Sequence, residues 1–297
     1  MRLIHLTDPH LSSLSGQSFR SMRGKRKTGY LSWSRKRQFI HRRETLEQLT
    51  HAVHQESPDQ VILTGDVIQV GLAEEVAEVA EWLRRLAPAD QLLFVPGNHD
   101  VYATGSWIAI RNDWNFILPP SPATSQDSSS AGYPVIRTQQ DVALIGISTA
   151  CVTPVFSARG EVGEAQRERI KHALESAEQQ DQLACLAMHH PPLQGMSKWR
   201  KSLRDTSAME QLLQQFQPAM VLCGHLHHNE VRLAGTQSES TRVYCTASAS
   251  DVSGSSFRVV DIHRAPDSWE ITMTLKTWQD KTGRYDVAEK TNWQVQR

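Results

Sequence analysis

Cysteine is scarce in this chain of 297 residues, and long apolar runs are missing from it. The 4 cysteines lie far apart without any C-x-x-C pair, so we expect reduced, structural thiols and a cytoplasmic protein. No apolar run approaches the roughly 18–20 residues that span a bilayer, and the first one is too short for a signal peptide. With 39% hydrophobic and 22% charged residues, the composition excludes disordered, collagen-like and coiled-coil proteins.

Acidic residues are missing between Pro9 and Arg43, and ten basic residues lie there. The whole chain has 32 basic and 32 acidic residues, so the remainder has 22 basic against 32 acidic ones and a formal charge of −10. From Phe19 to Arg43 these cations are interleaved with aromatic residues. This mixture is found in solvated loops, in lids over anionic substrates and in elements that contact anionic membranes. The ten cations are Arg20, Arg23, Lys25, Arg26, Lys27, Arg35, Lys36, Arg37, Arg42 and Arg43.

Short apolar runs alternate with helical patterns along the first three quarters of the chain. The runs predict buried strands at residues 3–6, 61–63, 92–95, 142–147, 183–188 and 220–223. Apolar residues at helical spacing predict helices at residues 44–54, 73–86, 164–177 and 206–216. This alternation predicts a layered α/β architecture.

The pattern changes after Gly224, where short alternating runs predict strands at 231–233, 242–246, 257–262 and 269–278. We expect these strands to form a second, mostly antiparallel sheet, although Trp269, Trp278 and Trp293 leave a dimer surface open. Residues 12–34 and 118–132 are predicted to be irregular. We therefore expect one domain over residues 1–297, with a basic, aromatic insertion at about 12–43 and a strand-rich part at about 230–297.

Residue types that bind metals follow five of the predicted strands. In open α/β sheets, the carboxyl ends of the strands meet at one edge, so the five segments can form one site. Each segment alone is more typical of a turn or a surface pair, but five of them in this position favour a metal centre. The segments are Asp8-Pro9-His10, Gly65-Asp66, Gly97-Asn98-His99-Asp100, His189-His190 and Gly224-His225-Leu226-His227.

This set resembles the signature of the calcineurin-like metallophosphoesterase superfamily, which reads D-x-H, G-D, G-N-H-[DE], H and G-H-x-H. The resemblance extends from Asp8 to His227 and implies an αββα sandwich, with two mixed sheets flanked by helices and a dinuclear metal site at the strand ends. One ion would be held by Asp8, His10, Asp66 and His227, and the other by Asp66, Asn98, His189 and His225. Such donors suit Mn²⁺, Fe²⁺, Zn²⁺ or Co²⁺.

The resemblance also suggests residues for catalysis and substrate binding. His99 matches the family histidine that contacts phosphate, and we expect it to act as a general acid or electrostatic stabiliser. Asp100 would orient that imidazole or cap a helix beginning at Val101, and the two roles can coexist. His189 is favoured over His190 as the ligand, because it follows the strand directly. Substrate contacts are expected from Asn98, His99 and His190.

The expected reaction is hydrolysis of a phosphodiester by hydroxide held between the two ions. The Asp-Arg-Gly element of protein serine/threonine phosphatases is absent after Asp66, and the layout is closer to bacterial class III cyclic nucleotide phosphodiesterases and glycerophosphodiesterases. A cyclic nucleotide or glycerophosphodiester is therefore the expected substrate. The alternative is a lipid-linked nucleotide diester or pyrophosphate, with residues 19–43 docked on the inner face of the membrane. A non-catalytic interaction module and a nucleic-acid partner are less favoured, whereas the sequence leaves a homo-oligomer open.

Overall fold

Two six-stranded β-sheets face each other in the computed structural model, which describes residues 1–120, 128–235 and 240–297. The helices are α1 (Arg26–Ser32), α2 (Gln38–Ile40), α3 (Arg43–Gln55), α4 (Ala73–Leu86), α5 (Ser106–Asp113), α6 (Glu164–Gln179) and α7 (Thr206–Phe216). The strands are β1 (Arg2–Leu6), β2 (Gln60–Leu63), β3 (Leu92–Phe94), β4 (Val135–Gln139), β5 (Val142–Ile147), β6 (Leu183–Met188), β7 (Met220–Cys223), β8 (Glu230–Leu233), β9 (Arg242–Cys245), β10 (Ser256–Arg264), β11 (Ser268–Gln279) and β12 (Arg284–Gln296).

Both sheets are mixed. The first has the order β12-β11-β10-β1-β2-β3, in which β1, β2 and β3 are parallel and β10–β12 are antiparallel to their neighbours. The second has the order β4-β5-β6-β7-β9-β8, with four parallel central strands and an antiparallel strand at each edge. The carboxyl ends of β1, β2 and β3 and those of β6 and β7 carry the five predicted segments.

Three layers of apolar packing follow from the alternation of side chains along each strand. Ile4 and Leu6 point outward from the first sheet and pack with α3, α4 and α5, whereas Leu3 packs between the sheets. The outer face of the second sheet packs with α6 and α7. The αββα sandwich is therefore confirmed. Trp269 and Trp293 contribute to the layer between the sheets.

The sequence led us to expect that the C-terminal strands form a sheet of their own, and this prediction is wrong. β8 and β9 extend the second sheet, whereas β10, β11 and β12 extend the first one through β1. Strand pairing across the fold is set by tertiary contacts, which local alternation does not encode. None of the helices in the described ranges is long and apolar enough to cross a bilayer.

The basic insertion is helical from Arg26 onward, which corrects the prediction of an irregular segment for residues 26–34, whereas residues 12–25 form neither helix nor strand. α1 continues through a π-helical turn, Trp33–Arg37, into α2. Trp33 is buried against Leu14, Val70 and Tyr102, so this ring points inward. In the other stretch predicted to be irregular, residues 121–127 lie outside the described residues.

Candidate active site

Unusual backbone conformations follow the strands that carry the predicted ligands. Five non-glycine residues have left-handed φ angles, which L-residues adopt at a cost of roughly 1–2 kcal/mol each. Strained conformations of this kind concentrate at functional sites, where the surrounding structure holds them. The left-handed conformations turn the side chains of these five residues back over the ends of the sheets. These residues are Asp8 (φ 51°), His10 (φ 40°), Asp66 (φ 55°), His225 (φ 71°) and His227 (φ 60°).

The first donor cluster consists of Asp8, His10, Asp66 and His227, whose donor atoms all lie within 4.8 Å of one another. His227 Nε2 lies 3.1 Å from Asp8 Oδ1, and His10 Nε2 lies 3.4 Å from His227 Nε2. His10 Nε2 is 3.9 Å from both Asp8 Oδ1 and Asp66 Oδ2. The cluster joins the ends of β1 and β2 in the first sheet to the segment after β7 in the second.

The second donor cluster consists of Asp66, Asn98, His189 and His225. His189 Nε2 lies 3.1 Å from His225 Nδ1, 3.3 Å from Asn98 Oδ1 and 3.5 Å from Asp66 Oδ2. Asp66 Oδ2 therefore lies between His189 of this cluster and His10 of the first. This is the position that a carboxylate bridging two ions requires.

The carboxylates of Asp8 and Asp66 each have one oxygen held by the protein and one directed into the clusters. Asp8 Oδ2 accepts hydrogen bonds from Thr7 Oγ1 (2.7 Å) and the backbone amide of His225 (2.9 Å), while Asp8 Oδ1 is buried without a hydrogen bond. Asp66 Oδ1 accepts from the amide of His99 at 2.7 Å, which leaves Oδ2 for the clusters. Gly224 is required here, because a Cβ at this position would lie 1.9 Å from Thr7 Oγ1.

The donor set fits divalent transition-metal ions. Ligand atoms that share one ion at ~2.1 Å are about 3.0–4.2 Å apart, and the separations in both clusters fall in or near that range. Two imidazole nitrogens that face each other at 3.1–3.4 Å need a proton or a metal ion between them, because two lone pairs would repel each other. The buried Asp8 Oδ1, which has no well-formed hydrogen bond and faces His227 Nε2 at 3.1 Å, also indicates a cation. All four residues of each cluster could therefore hold an ion.

Electrostatics within the clusters agree with this assignment. Burial alone would raise the pKa of Asp66, but the imidazoles of His189 and His99 hold it well below its usual range. Burial opposes a charged His189, yet the Asp66 carboxylate overcomes it and raises the pKa of His189 to about 9. Without metal, a proton on His189 would thus partly replace the cation, so metal binding should release a proton.

Comparison with known proteins identifies the family. The sequence profile described as calcineurin-like phosphoesterase matches residues 1–229. The chain belongs to the calcineurin-like phosphoesterase family. It is therefore a metal-dependent phosphoric ester hydrolase, and the family uses a dinuclear divalent metal centre.

Solved structures with the same fold include a dimetal phosphatase from Danio rerio, at 13% sequence identity and a TM-score of 0.60. That similarity covers 98% of each chain. A purple acid phosphatase from yellow lupin, Lupinus luteus, is 12% identical with a TM-score of 0.59. All of the phosphoesterase is covered in that comparison, but only 54% of the lupin chain. A search of curated proteins finds no match.

His99 of the phosphoesterase is buried, and its ring centroid lies 4.9 Å from that of His10 in the first cluster. Its Nδ1 is 2.5 Å from the carbonyl oxygen of Gln69 and 3.2 Å from Arg37 Nη1; we assign the proton of the neutral ring to Nδ1, because the carbonyl oxygen can only accept and is the nearer partner. Burial and the nearby Arg37 guanidinium, 3.2 Å from the ring, lower the pKa of His99 to about 3. Proton donation from Nε2 therefore needs a substrate anion to raise this pKa.

Asp100 contacts the backbone of the ligand segments. Its carboxylate accepts hydrogen bonds from the amides of Asp66 and Gly97 at 2.8 Å and from Val67 at 2.9 Å. Neither expected role corresponds to these contacts, since none of them reaches the His99 ring and α5 begins only at Ser106. Burial and the charge of Asp66 raise the pKa of Asp100 to about 7.

His189 faces the donor atoms of the second cluster, and a ring nitrogen of His190 also lies within 4.8 Å of those of His189 and His225. The ring of His190, expected to contact substrate, instead lies 2.7 Å from Thr149 Oγ1 through Nδ1 and 3.1 Å from the oxygen of Ala158 through Nε2. Both nitrogens thus have protein partners. Burial, followed by the charge of His189, lowers the pKa of His190 to about 3, so the ring is neutral.

His41 also lies beside the first cluster, although no motif in the sequence marks it as a site residue. Its ring centroid lies 4.6 Å from that of His10, and its Nδ1 is 2.8 Å from Ser250 Oγ. Burial, then the charges of His227 and Arg37, lowers its pKa to about 3. The spacing of His41 carries no signal of this contact, because the chain reverses direction between α2 and α3. His228 is exposed and lies 3.1 Å from Glu230, as expected for a surface residue.

A cavity of ≈ 660 Å³ opens beside Asn98 and His99. The basic insertion forms one wall through Lys25 and Arg37, and Lys25 Nζ is held at 2.7 Å by Thr153 Oγ1. The described lining residues include five cations and no carboxylate, which favours an anionic ligand. These cations are Lys25, Arg37, Lys198, Arg200 and Lys201.

Proposed function

We propose that this phosphoesterase hydrolyses a small organic phosphodiester of the cyclic nucleotide or glycerophosphodiester type. The observation that carries the proposal is the position of the two donor clusters, which adjoin a cavity lined with cations. Asn98 and His99 belong both to the site and to the cavity wall. A phosphate that contacts them is also close to Arg37, which supplies a positive charge from the insertion.

Asp8, His10, Asp66 and His227 would hold one ion, and Asp66, Asn98, His189 and His225 the other. When bound, divalent ions lower the pKa of water and neutralise phosphate charge. We assign His99 to the leaving oxygen, where its Nε2 gives a proton once the substrate anion has raised its pKa. Asp100 is a positioning residue, because it holds the amides of the two segments that carry Asp66 and Asn98.

A lipid-linked diester or pyrophosphate is a second candidate substrate. Phe39 and Phe19 of the insertion are 61% and 41% exposed, and both lie among the exposed cations of residues 19–43. Such a surface suits the inner face of an anionic membrane. Arg37 contributes to the cavity rather than to this surface, so Arg35 and Lys36 are the appropriate residues for testing it.

The proposal is tested by loading the purified protein with Mn²⁺ and assaying five substrate groups. These are phosphomonoesters, cyclic diesters, open diesters, nucleotide pyrophosphates and lipid-linked analogues. We expect kcat/KM for a cyclic or open diester to exceed that for a monoester by about tenfold or more, the ratio that ~1.4 kcal/mol supplies. A preference for monoesters would refute the proposed substrate class.

The matched variants are Asp66→Ala and Asp113→Ala. Asp66→Ala should abolish both metal retention and turnover, because one carboxylate serves both clusters. Asp113 is exposed at the end of α5, and its variant should retain both properties. Elemental analysis measures the metal independently of activity. Retention of two ions by Asp66→Ala would contradict the bridging role.

A further inference from the structure

Two loops at the mouth of the cavity expose large aromatic side chains. Phe156 is 75% exposed and Trp199 is 72% exposed, and both line the opening. The loops are joined, because the amide of Ala158 donates to the oxygen of Arg200 at 2.9 Å. The guanidinium of Arg159 also lies 5.1 Å from the centre of the Trp199 ring. We call Val152, Val155, Phe156 and Trp199 the aromatic rim.

The backbone of Phe156 is unfavourable for an aromatic residue. Its φ is +65°, at the second central position of a turn closed by a hydrogen bond from Ser157 to Pro154. Glycine or asparagine is usual at such a position, and a bulky side chain there is an outlier. Because the Phe156 ring is also mostly exposed, it contributes little to the core. Strain without burial indicates that this ring has a function outside the fold.

The apolar surface extends beyond the cavity. Val152 and Val155 are 48% and 42% exposed, yet neither belongs to the cavity lining. A small ligand enclosed by the cavity would leave them in water, so the rim fits an extended partner. Lys198, Arg200 and Lys201 lie beside Trp199, and Glu161, the nearby carboxylate, is paired with Arg204 at 2.8 Å.

We propose that the aromatic rim docks on an anionic lipid bilayer. Aromatic rings settle at the headgroup level, and Lys or Arg near the surface is attracted to anionic leaflets. The exposed rings of Phe156 and Trp199 stand beside cations with no carboxylate among the described lining residues, and this charge complements anionic headgroups, which favours a bilayer as the occupant. Docked in this way, the cavity faces the headgroups and can receive a phosphoester from the leaflet. This last step alone rests on the proposed function.

The test is co-sedimentation of the full chain with vesicles of phosphatidylcholine, with and without phosphatidylglycerol. We expect binding to the anionic vesicles that weakens with added salt, and little binding to the neutral ones. Phe156→Gly should weaken binding about tenfold, because the aromatic ring that the bilayer would bury is lost. It should not lower Tm, because glycine relieves the left-handed strain. This combination separates docking from a structural role.

Val155→Asp and Val287→Asp provide the matched pair. Val287 is 58% exposed on the edge strand β12, so its variant should bind vesicles like the unmodified protein, whereas Val155→Asp should lose binding. Equal binding by Val155→Asp, or no binding of the unmodified chain to anionic vesicles, would overturn the proposal. So would a Phe156→Gly variant that changes only KM for a nucleotide. Because sedimentation requires no turnover, failure of docking is distinguishable from failure of the proposed reaction.

Discussion

At the scale of single residues, the site depends on which polar atoms are already held by hydrogen bonds within the protein and which are left for a ligand. Asp8 and Asp66 each have one oxygen held by hydrogen bonds, so the other oxygen is directed into the donor clusters. His99 is arranged in the same way, because the contact between its Nδ1 and Gln69 leaves Nε2 available. Preorganised donors and acceptors of this kind need no rearrangement when a substrate binds.

His99→Asn tests the proton-donating role. We expect the variant to retain both ions but to lose about 10²-fold in kcat for a diester with a poor leaving group, because proton donation supplies roughly that factor. A p-nitrophenyl diester, whose leaving group needs no proton, should lose much less. His228→Asn, at an exposed position, is the control. Equal losses for both diesters would show that His99 does not donate a proton.

At the scale of elements, the helical insertion forms a wall of the cavity. Its packing is close at Gly29 of α1, where a Cβ would lie 2.5 Å from Val70 Cγ1 and 2.6 Å from the Tyr102 hydroxyl. This contact holds the π-helical turn in place, with Arg37 at His99 and Arg35 exposed to solvent. Through Arg37, the insertion therefore forms part of the cavity wall beside His99.

Arg37→Met and Arg35→Met compare two cations of the same turn. Arg37→Met should raise KM for a phosphodiester about tenfold, because a charge-assisted hydrogen bond contributes roughly 1.5 kcal/mol or more. Arg35→Met should leave KM for a soluble diester unchanged. Steady-state kinetics of the two variants give the comparison. If both variants have the same KM, Arg37 does not contact the substrate.

The sequence predicted ten of the twelve described strands, the helices α3, α4, α6 and α7, and the five segments that form the donor clusters. Those predictions succeed because buried strands and ligand motifs are local patterns. It did not predict that His41 lies against His10, or that Arg37 reaches His99, since these contacts depend on how the insertion folds back. β4, β12 and α5 were also not predicted. β12 is an edge strand with largely exposed side chains, so its sequence has only a weak apolar pattern.

At the scale of the whole molecule, donors from both sheets meet in one site. Asp8, Asp66 and Asn98 follow strands of the first sheet, whereas His189 and His225 follow strands of the second. A bound ion is therefore a link between the sheets as well as a cofactor. His5 forms a second link, because its ring nitrogens lie 2.9 Å from Thr64 Oγ1 and 3.0 Å from Thr246 Oγ1.

Removal of metal should lower the thermal stability of the protein. Ions at about 100 times their Kd stabilise the folded state by ~2.7 kcal/mol, which corresponds to about 5 °C in Tm for a chain of this size. Calorimetry before and after treatment with a chelator measures the change. Asp66→Ala should abolish the difference between the two samples. A Tm independent of metal would contradict a link between the sheets.

The buried His5 side chain should lower the free energy of unfolding in acid. Burial, followed by the charge of Arg258, lowers the pKa of His5 to about 3, below its unfolded value near 6.5. Its contribution is complete above pH 6.5 and declines as the pH falls, by about 1.4 kcal/mol per pH unit until the folded pKa is reached. Urea unfolding of the metal-free protein and of His5→Gln between pH 7 and 4 measures this slope. The variant should have the shallower dependence.

The apolar layer between the sheets has a consequence for the chemistry at their edge. Leu93 and Ile62 from one sheet and Leu144 and Tyr244 from the other fill the gap that separates the two groups of ligands. Their volume sets the spacing of the two sheets, and with it the distance between donors such as Asp66 and His189, which come from opposite sheets. A slightly thinner or thicker interior would shift one group of donors against the other, so side chains remote from the site would change how well the clusters fit an ion without altering any ligand.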